Sequence, residues 1–410
     1  MRIALISEHA SPLAAIGGVD AGGQNVHVAE LATGLVRLRH DVTVFTRRDS
    51  SGPERVTTVA GYDVVHVPAG PPRPLPKDDL WAHLPEFAAG LSQRLDPRPP
   101  DVLHAHFWMS AWAANQVRGR LQVPMLITFH ALGTVKRRYQ GAADTSPAER
   151  IAVETEVGRA ADQILATCRD EVIELIRLGI DRRKISIVPC GVDVERFTPV
   201  AEHEPEPAHG VERRFEHRLV SVGRLVRRKG FDTIIDAMPR LQDAELLIAG
   251  GQEVNTCPEP ERDRLRALAR QRRVARRVRL IGQVPHQEMP ALLRSAEVVI
   301  CAPWYEPFGI VPLEAMACGV PVVASTVGGL QDTVVDSVTG VLVPPGDPVA
   351  LAEAVRSLLD DPVRRGELGR AGRERVRLRY TWSQVAASTA NVYAQVVQAN
   401  AASPSAIAPA

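Results

Sequence analysis

The sequence predicts an α/β protein built as two open, doubly wound parallel sheets, each with its own helices. Three observations predict this. The 410 residues exceed one ordinary domain and suit two of about 200 residues each. Short apolar runs alternate with helical stretches from end to end, the rhythm of parallel strands joined by crossover helices. Near the middle, Val200 to His217 breaks that rhythm with a polar, proline-interrupted stretch containing Glu-Pro-Glu-Pro-Ala-His-Gly, which reads as a linker.

In the first series, Ile3 to Ile6 is a strand, followed by a loop holding Gly17, Gly18, Gly22 and Gly23, and then a helix from about Gln24 to Leu38. Strands follow at Val42–Thr46, Val64–Val67, Val102–His106, Met125–Phe129, Ile164–Thr167 and Ile185–Val188. The second series places strands at Leu219–Val222, Glu245–Ala249, Val278–Ile281, Val298–Ile300, Val322–Ala324 and Gly340–Val343. Residues 348–360 and 362 to about 398 read as helices. The expected division is therefore 1–199, 200–380, a C-terminal helix at 381–400, and a disordered tail at 401–410.

Composition narrows the function. Hydrophobic residues make up 45%, enough for sizeable cores, and 49 basic against 48 acidic side chains leave a net charge of +1, which argues against a nucleic-acid binder. The basic stretch Arg262 to Arg279 carries Leu265, Leu268 and Ala269 on one side, the pattern of an amphipathic helix with a solvated arginine face. Five cysteines show no CxxC pair and no metal-ligand spacing with histidine, so no metal site is expected. Cys190, Cys301 and Cys318 read as small buried residues, consistent with a reducing cytoplasm. The N-terminal apolar run is too short for a signal peptide, and no run approaches the roughly 18 residues of a transmembrane helix. Nothing in the pattern specifies an oligomer.

The most informative stretch is Glu306-Pro-Phe-Gly-Ile-Val-Pro-Leu-Glu314, followed by Ala-Met-Ala-Cys-Gly319 and the apolar run Val320-Pro-Val-Val-Ala324. Pro312 and Gly319 bracket a short helix, about 312–318, feeding a buried strand. Helix-start amides lack intrahelical acceptors and favour anions. Phe308, Gly309, Ile310 and Val311 thus form a candidate diphosphate cradle, with Glu306 for sugar hydroxyls and Glu314 for a ribose diol. The plainer reading is a capped helix with a dipole-favouring glutamate.

These residues resemble the nucleotide-binding signature of retaining glycosyltransferases with the two-Rossmann-domain, or GT-B, architecture. The resemblance extends over almost the whole chain and is closest to the branch of sucrose-phosphate synthases and the inositol-phosphate N-acetylglucosaminyltransferase. It implies two domains facing a central cleft, the acceptor site on the first and the donor site on the second, with the final helix returning to pack on the first domain.

Other motifs fit this frame. Val222-Gly-Arg224-Leu-Val-Arg-Arg-Lys229-Gly230 follows a strand and matches the family's G-R-x(4)-K-G. Arg224 and Lys229 can bracket a departing diphosphate, and fixed cations of this kind are worth a few kcal/mol each. Gly22-Gly23 opens the first helix; without a full G-x-G-x-x-G it does not indicate a dinucleotide cofactor, while the resemblance assigns it to the donor diphosphate. His130 ends a strand in Thr-Phe-His-Ala, a position more often structural, and the resemblance has it orient the transferred sugar. His104 and His106 share one strand face but lack a third metal ligand, and His106 is a candidate for lining the acceptor crevice. Lys77 and Arg150 fall at positions matching the family's acceptor-phosphate clamp, with ordinary surface charge as the plainer reading, while assisting hydroxyls are replaced by Phe107 and Ala131. Lys136, Arg137 and Arg138 can compensate, or the acceptor is an unphosphorylated polyol, aminocyclitol or sugar.

The expected activity is metal-independent, retaining transfer of a sugar from a UDP- or GDP-sugar to a hydroxyl of a small polar acceptor, with no cofactor. A sugar-nucleotide epimerase of the same architecture and a non-catalytic nucleotide-sugar-binding module are the alternatives.

Overall fold

The computed structural model describes residues 1–14, 22–199, 211–251 and 259–402. Gly17, Gly18, Cys257, most of the expected linker and residues 403–410 lie outside the described residues, so the expected disordered tail is not addressed beyond Ala402.

The first sheet has eight strands in the order β3-β4-β2-β1-β5-β6-β7-β8. These are β1 Arg2–Ile6, β2 Asp41–Arg47, β3 Arg55–Thr57, β4 Asp63–Val67, β5 Val102–His106, β6 Met125–Thr128, β7 Gln163–Ala166 and β8 Ile185–Ile187. All pairings are parallel except β3 with β4. The second sheet has six parallel strands in the order β11-β10-β9-β12-β13-β14. They are β9 His217–Val222, β10 Ala244–Ala249, β11 Val278–Gly282, β12 Val298–Cys301, β13 Val322–Ser325 and β14 Gly340–Val343. In each sheet the chain winds outward one way from its first strand and then returns to wind the other way. The switch points fall between β1 and β5 and between β9 and β12, and the carboxyl ends of such strands are where open α/β sheets bind ligands.

Central strands are apolar because helices cover both faces. In the second unit Leu219, Leu246, Ile248, Val298, Ile300 and Val323 are buried with Ile234, Leu265 and Val355 from flanking helices. The basic helix Pro260–Gln271 docks through Leu265 and Ala269 as its spacing predicts, although Arg262 is also buried, paired with Glu259 at 2.8 Å. Cys168, Cys190 and Cys318 are buried, and Cys301 is half-buried.

The described residues divide into one unit of 1–14, 22–189 and 382–402, and another of 190–199, 211–251 and 259–381. The boundary at Pro189 precedes the expected one at 199. Residues after Pro189 are already committed to the second unit: Val192 N–H donates to Tyr380 O at 2.7 Å and Arg294 donates to Thr198 O at 3.0 Å. The expected long C-terminal helix from 362 is two helices, Pro362–Arg379 and Trp382–Ala402. Tyr380 breaks it, because its buried ring donates through its hydroxyl to Asp332 O at 3.0 Å and its carbonyl is taken by Val192. Trp382–Ala402 then packs on helix Gly23–Arg37 of the first unit.

Candidate active site

In the second unit the residues that point to chemistry follow β9 and β12. Gly223 continues from β9, anchored by donation to Ala249 O at 3.0 Å, and Arg224 follows it. A tight turn, Arg227–Lys229, ends at Gly230 with φ +67°, a backbone region costly for any side chain, and a Cβ there would strike the carbonyl of Ala302 after β12. That close approach brings the turn to Glu306. Lys229 Nζ lies 2.5 Å from Glu306 Oε2, and Arg228 Nη1 lies 3.9 Å from the same oxygen. Burial alone would raise the Glu306 carboxyl, but Lys229, Arg228 and Arg224 outweigh it and hold it below the ordinary glutamate value. Glu306 is an ionised carboxylate, 16% exposed, within a cluster of cations.

Helix Ile310–Ala317 begins two residues before the expected start at Pro312. Pro312 sits within the first turn, where its missing N–H would lack a partner in any case. Gly309 caps the helix at φ +91°, and a Cβ there would lie 2.5 Å from Leu330 Cδ2. The helix start, with Phe308, Gly309, Ile310 and Val311, therefore follows directly from Glu306. Gly329 N–H donates to Glu306 O at 3.0 Å, pinning the loop from behind. Glu314 is buried on the same helix, its Oε1 3.4 Å from His286 Nε2, while His286 Nδ1 lies 2.5 Å from Arg196 Nη1. Sequence reasoning missed His286, Arg196 and the Gly328-Gly329 pair; the glycine pair after β13 was the available signal.

In the first unit the candidate residues follow β1, β5 and β6. Glu8 and His9, just beyond β1, were not anticipated, although their place at a central strand's carboxyl end is a signal. Glu8 is buried and paired with His9 Nδ1 at 2.6 Å, and it accepts a hydrogen bond from the Ser110 hydroxyl. Phe107 after β5 and His130 after β6 both have positive φ, +83° and +60°. For bulky side chains such conformations cost about 1–3 kcal/mol and persist only where packing imposes them. Phe107 is held by the edge of His9 at 4.9 Å between ring centroids, with Lys77 Nζ and Arg150 Cζ each 5.1 Å from its centroid.

Arg150 thus shares the Phe107 ring with Lys77, and it is also fixed within the fold. It donates to Glu154 at 2.7 Å, Ser146 at 3.1 Å and Ala131 O at 2.8 Å, and both it and Glu154 are buried. Burial raises the Glu154 carboxyl, opposed by Arg150. Lys136 pairs with Asp144 at 2.9 Å and Arg138 with Glu174 at 2.8 Å.

His130 Nε2 lies 3.0 Å from His106 Nδ1. His106 is fully buried beneath it, so the ring expected to line an acceptor surface instead backs His130. His104 packs against His106 with centroids 4.2 Å apart and planes tilted by 41°, its nitrogens taken by Tyr393 Oη at 2.6 Å and Thr128 Oγ1 at 2.9 Å. His27 packs edge-on against His130 and against Trp382. Burial drives these rings toward neutrality: His27 falls to about 4 and His104 to about 3, while His106 and His130 lie well below the ordinary value of 6.5. Gly22 and Gly23 open helix Gly23–Arg37, with Gly22 N–H donating to Asn25 Oδ1 at 3.0 Å. No described atom would obstruct a Cβ on Gly22.

Comparison with known proteins agrees in both halves. Residues 209–375 match the family described as Glycosyl transferases group 1, and residues 21–196 match Glycosyltransferase Family 4. The D-inositol 3-phosphate glycosyltransferase of Xylanimonas cellulosilytica is 37% identical over 97% of this chain and 97% of its own length. The D-inositol 3-phosphate glycosyltransferase of Kineococcus radiotolerans is 38% identical over 98% and 97%. Among solved structures, sucrose-phosphate synthase from Thermosynechococcus elongatus is 33% identical, with a TM-score of 0.88 over 97% of this chain and 100% of that one.

Proposed function

The chain belongs to the group 1 glycosyltransferases, with the GT-B fold, and from that premise we propose that it moves a sugar from a UDP- or GDP-sugar to a hydroxyl of a small polar acceptor in the cytoplasm, with retained anomeric configuration and without a metal or cofactor. The observation that carries this reading is the Lys229–Glu306 pair at the start of helix Ile310–Ala317, with Arg224 and Arg228 adding charge.

The acceptor oxygen attacks the anomeric carbon on the face the diphosphate leaves. The bond from that carbon to the phosphate oxygen breaks, and the acceptor proton passes to the departing phosphate. Negative charge then develops on the diphosphate, where Arg224, Lys229 and the amides of Ile310 and Val311 stabilise it. Glu306 is ionised and held by Lys229, so it accepts hydrogen bonds from sugar hydroxyls and fixes the ring. Glu314 takes the ribose diol, His130 orients the sugar, and Gly22-Gly23 leaves room for the diphosphate.

For the acceptor we infer a phosphate-bearing cyclitol or sugar. Lys77 and Arg150 each lie over the ring of one strained residue, Phe107, and the two relatives at 37% and 38% identity are named for D-inositol 3-phosphate. Arg150 retains a hydrogen on each terminal nitrogen for such a ligand.

The test is nucleoside diphosphate release from UDP- and GDP-sugars with phosphorylated and unphosphorylated cyclitols and sugars, in the presence of chelator, with the product's anomeric configuration read by NMR. Release that requires one donor and a phosphorylated acceptor, giving the retained anomer, is expected. Turnover with unphosphorylated acceptors only would overturn the acceptor assignment, and conversion of donor alone would indicate an epimerase.

A further inference from the structure

His106 ends β5, and His130 follows Thr128, its neighbour across the sheet on β6. The two rings share one hydrogen bond, between His106 Nδ1 and His130 Nε2 at 3.0 Å. His106 is completely buried, and its other nitrogen, Nε2, has no hydrogen-bond partner. A neutral imidazole carries one N–H and one bare nitrogen, so the shared proton belongs to one ring or the other. If His130 donated, His106 would hold its proton on Nε2 as a buried N–H with no acceptor. If His106 donates, only a bare lone pair is stranded. Orphaned buried N–H groups are the rarer of the two in folded proteins. Burial keeps both rings neutral near pH 7, as the choice requires.

We propose that His106 is a positioning residue whose Nδ1–H donates to His130 Nε2, fixing His130 as the tautomer that carries its proton on Nδ1 and offers it to an oxygen of the transferred sugar. Nδ1 of His130 has no partner among the described residues, so that proton is available. His104 makes the arrangement rigid. Its ring lies against His106 and is tied at both nitrogens, to Tyr393 of the C-terminal helix and to Thr128. The helix Trp382–Ala402 thereby reaches the sugar-binding histidine through two other histidines. The inference rests on the reading of His130 as a sugar contact, but the tautomer itself does not.

The first arm of the test is nitrogen-15 NMR of the full-length protein with labelled histidines, with His106 and His130 assigned by substitution. Protonation of both rings on Nδ1 is expected, and a His130 proton on Nε2, or an imidazolium, overturns the proposal. The second arm compares His106→Asn with His106→Gln. The asparagine amide falls near the position of Nδ1, whereas that of glutamine falls near Nε2. His106→Gln should lower kcat about ten- to hundredfold, with little change in acceptor KM, and His106→Asn should recover much of that loss. Equal losses in two folded variants would contradict a role for the Nδ1 donor. If the tautomers are as proposed and His130→Ala turns over normally, the sugar contact fails while the histidine pairing stands.

Discussion

The two units solve one problem, placing chemistry at the carboxyl ends of central strands, by opposite means. The second uses charge: Glu306 stays ionised because Lys229, Arg228 and Arg224 surround it, beside the start of a helix. The first uses neutrality and strain: four histidine rings are packed together and driven uncharged by burial, while Phe107 and His130 hold positive φ angles. The difference matches what each ligand of the proposed function asks for. A departing diphosphate gains charge and needs fixed cations. A sugar stays neutral and needs hydrogen bonds held in one geometry.

The largest effect expected is on the Arg150–Glu154 ion pair, buried at both ends in the first unit. Glu154→Ala leaves Arg150 without its carboxylate and should destabilise the first unit by about 3–5 kcal/mol, read by chemical denaturation. A loss under about 1 kcal/mol would show that Arg150 is compensated elsewhere, and the contrast between the units would weaken.

Glu306→Ala comes next. Under the proposed role it removes sugar positioning while leaving the core strands intact, and turnover should fall about 10²-fold or more in a protein that still unfolds cooperatively. Near-normal turnover would remove Glu306 from the site.

The pH dependence separates the units directly. His27 is lowered from 6.5 to about 4 in the folded state, so the unfolded chain binds the proton first as pH falls. Stability present above about 6.5 is therefore lost on acidification until the folded ring itself protonates near 4. At pH 5 this amounts to roughly 2 kcal/mol from His27 alone, and His104, lowered to about 3, acts in the same direction. Glu306, lowered below 4.5, contributes stability above that value and loses it only at lower pH. Hydrogen exchange across this range should show the first unit loosening before the second. Simultaneous loosening would mean that the histidines are not neutral by burial.

The smallest effect is Gly309→Ala. Strain at φ +91° and contact with Leu330 should cost about 1–2 kcal/mol and weaken nucleotide binding measured by calorimetry. Unchanged binding would detach the helix start from the donor site.

Much of this was legible in the sequence, and the misses share a cause. Central strands such as Val298–Cys301 are read directly because a buried parallel strand is a continuous apolar run. The edge strand Arg55–Thr57 has no such run and was missed. The break at Tyr380 was invisible because helical periodicity continues through it, and only Asp332 and Val192, distant in sequence, interrupt it. The donor motif was readable because Glu306, the helix start and Glu314 lie within one short segment. The first unit's site was only partly readable: His9, His27, His106, Phe107 and Tyr393 meet through tertiary packing alone.

The most direct test of the central claim, that side-chain cations of the second unit rather than a metal stabilise the leaving diphosphate, is turnover of wild type and Lys229→Ala with excess chelator. Wild-type turnover should be undiminished by the chelator, and the variant should lose about 10²–10³-fold in kcat while it still binds nucleotide. Activity abolished by chelator and restored by a divalent cation, or normal turnover in Lys229→Ala, would contradict the account.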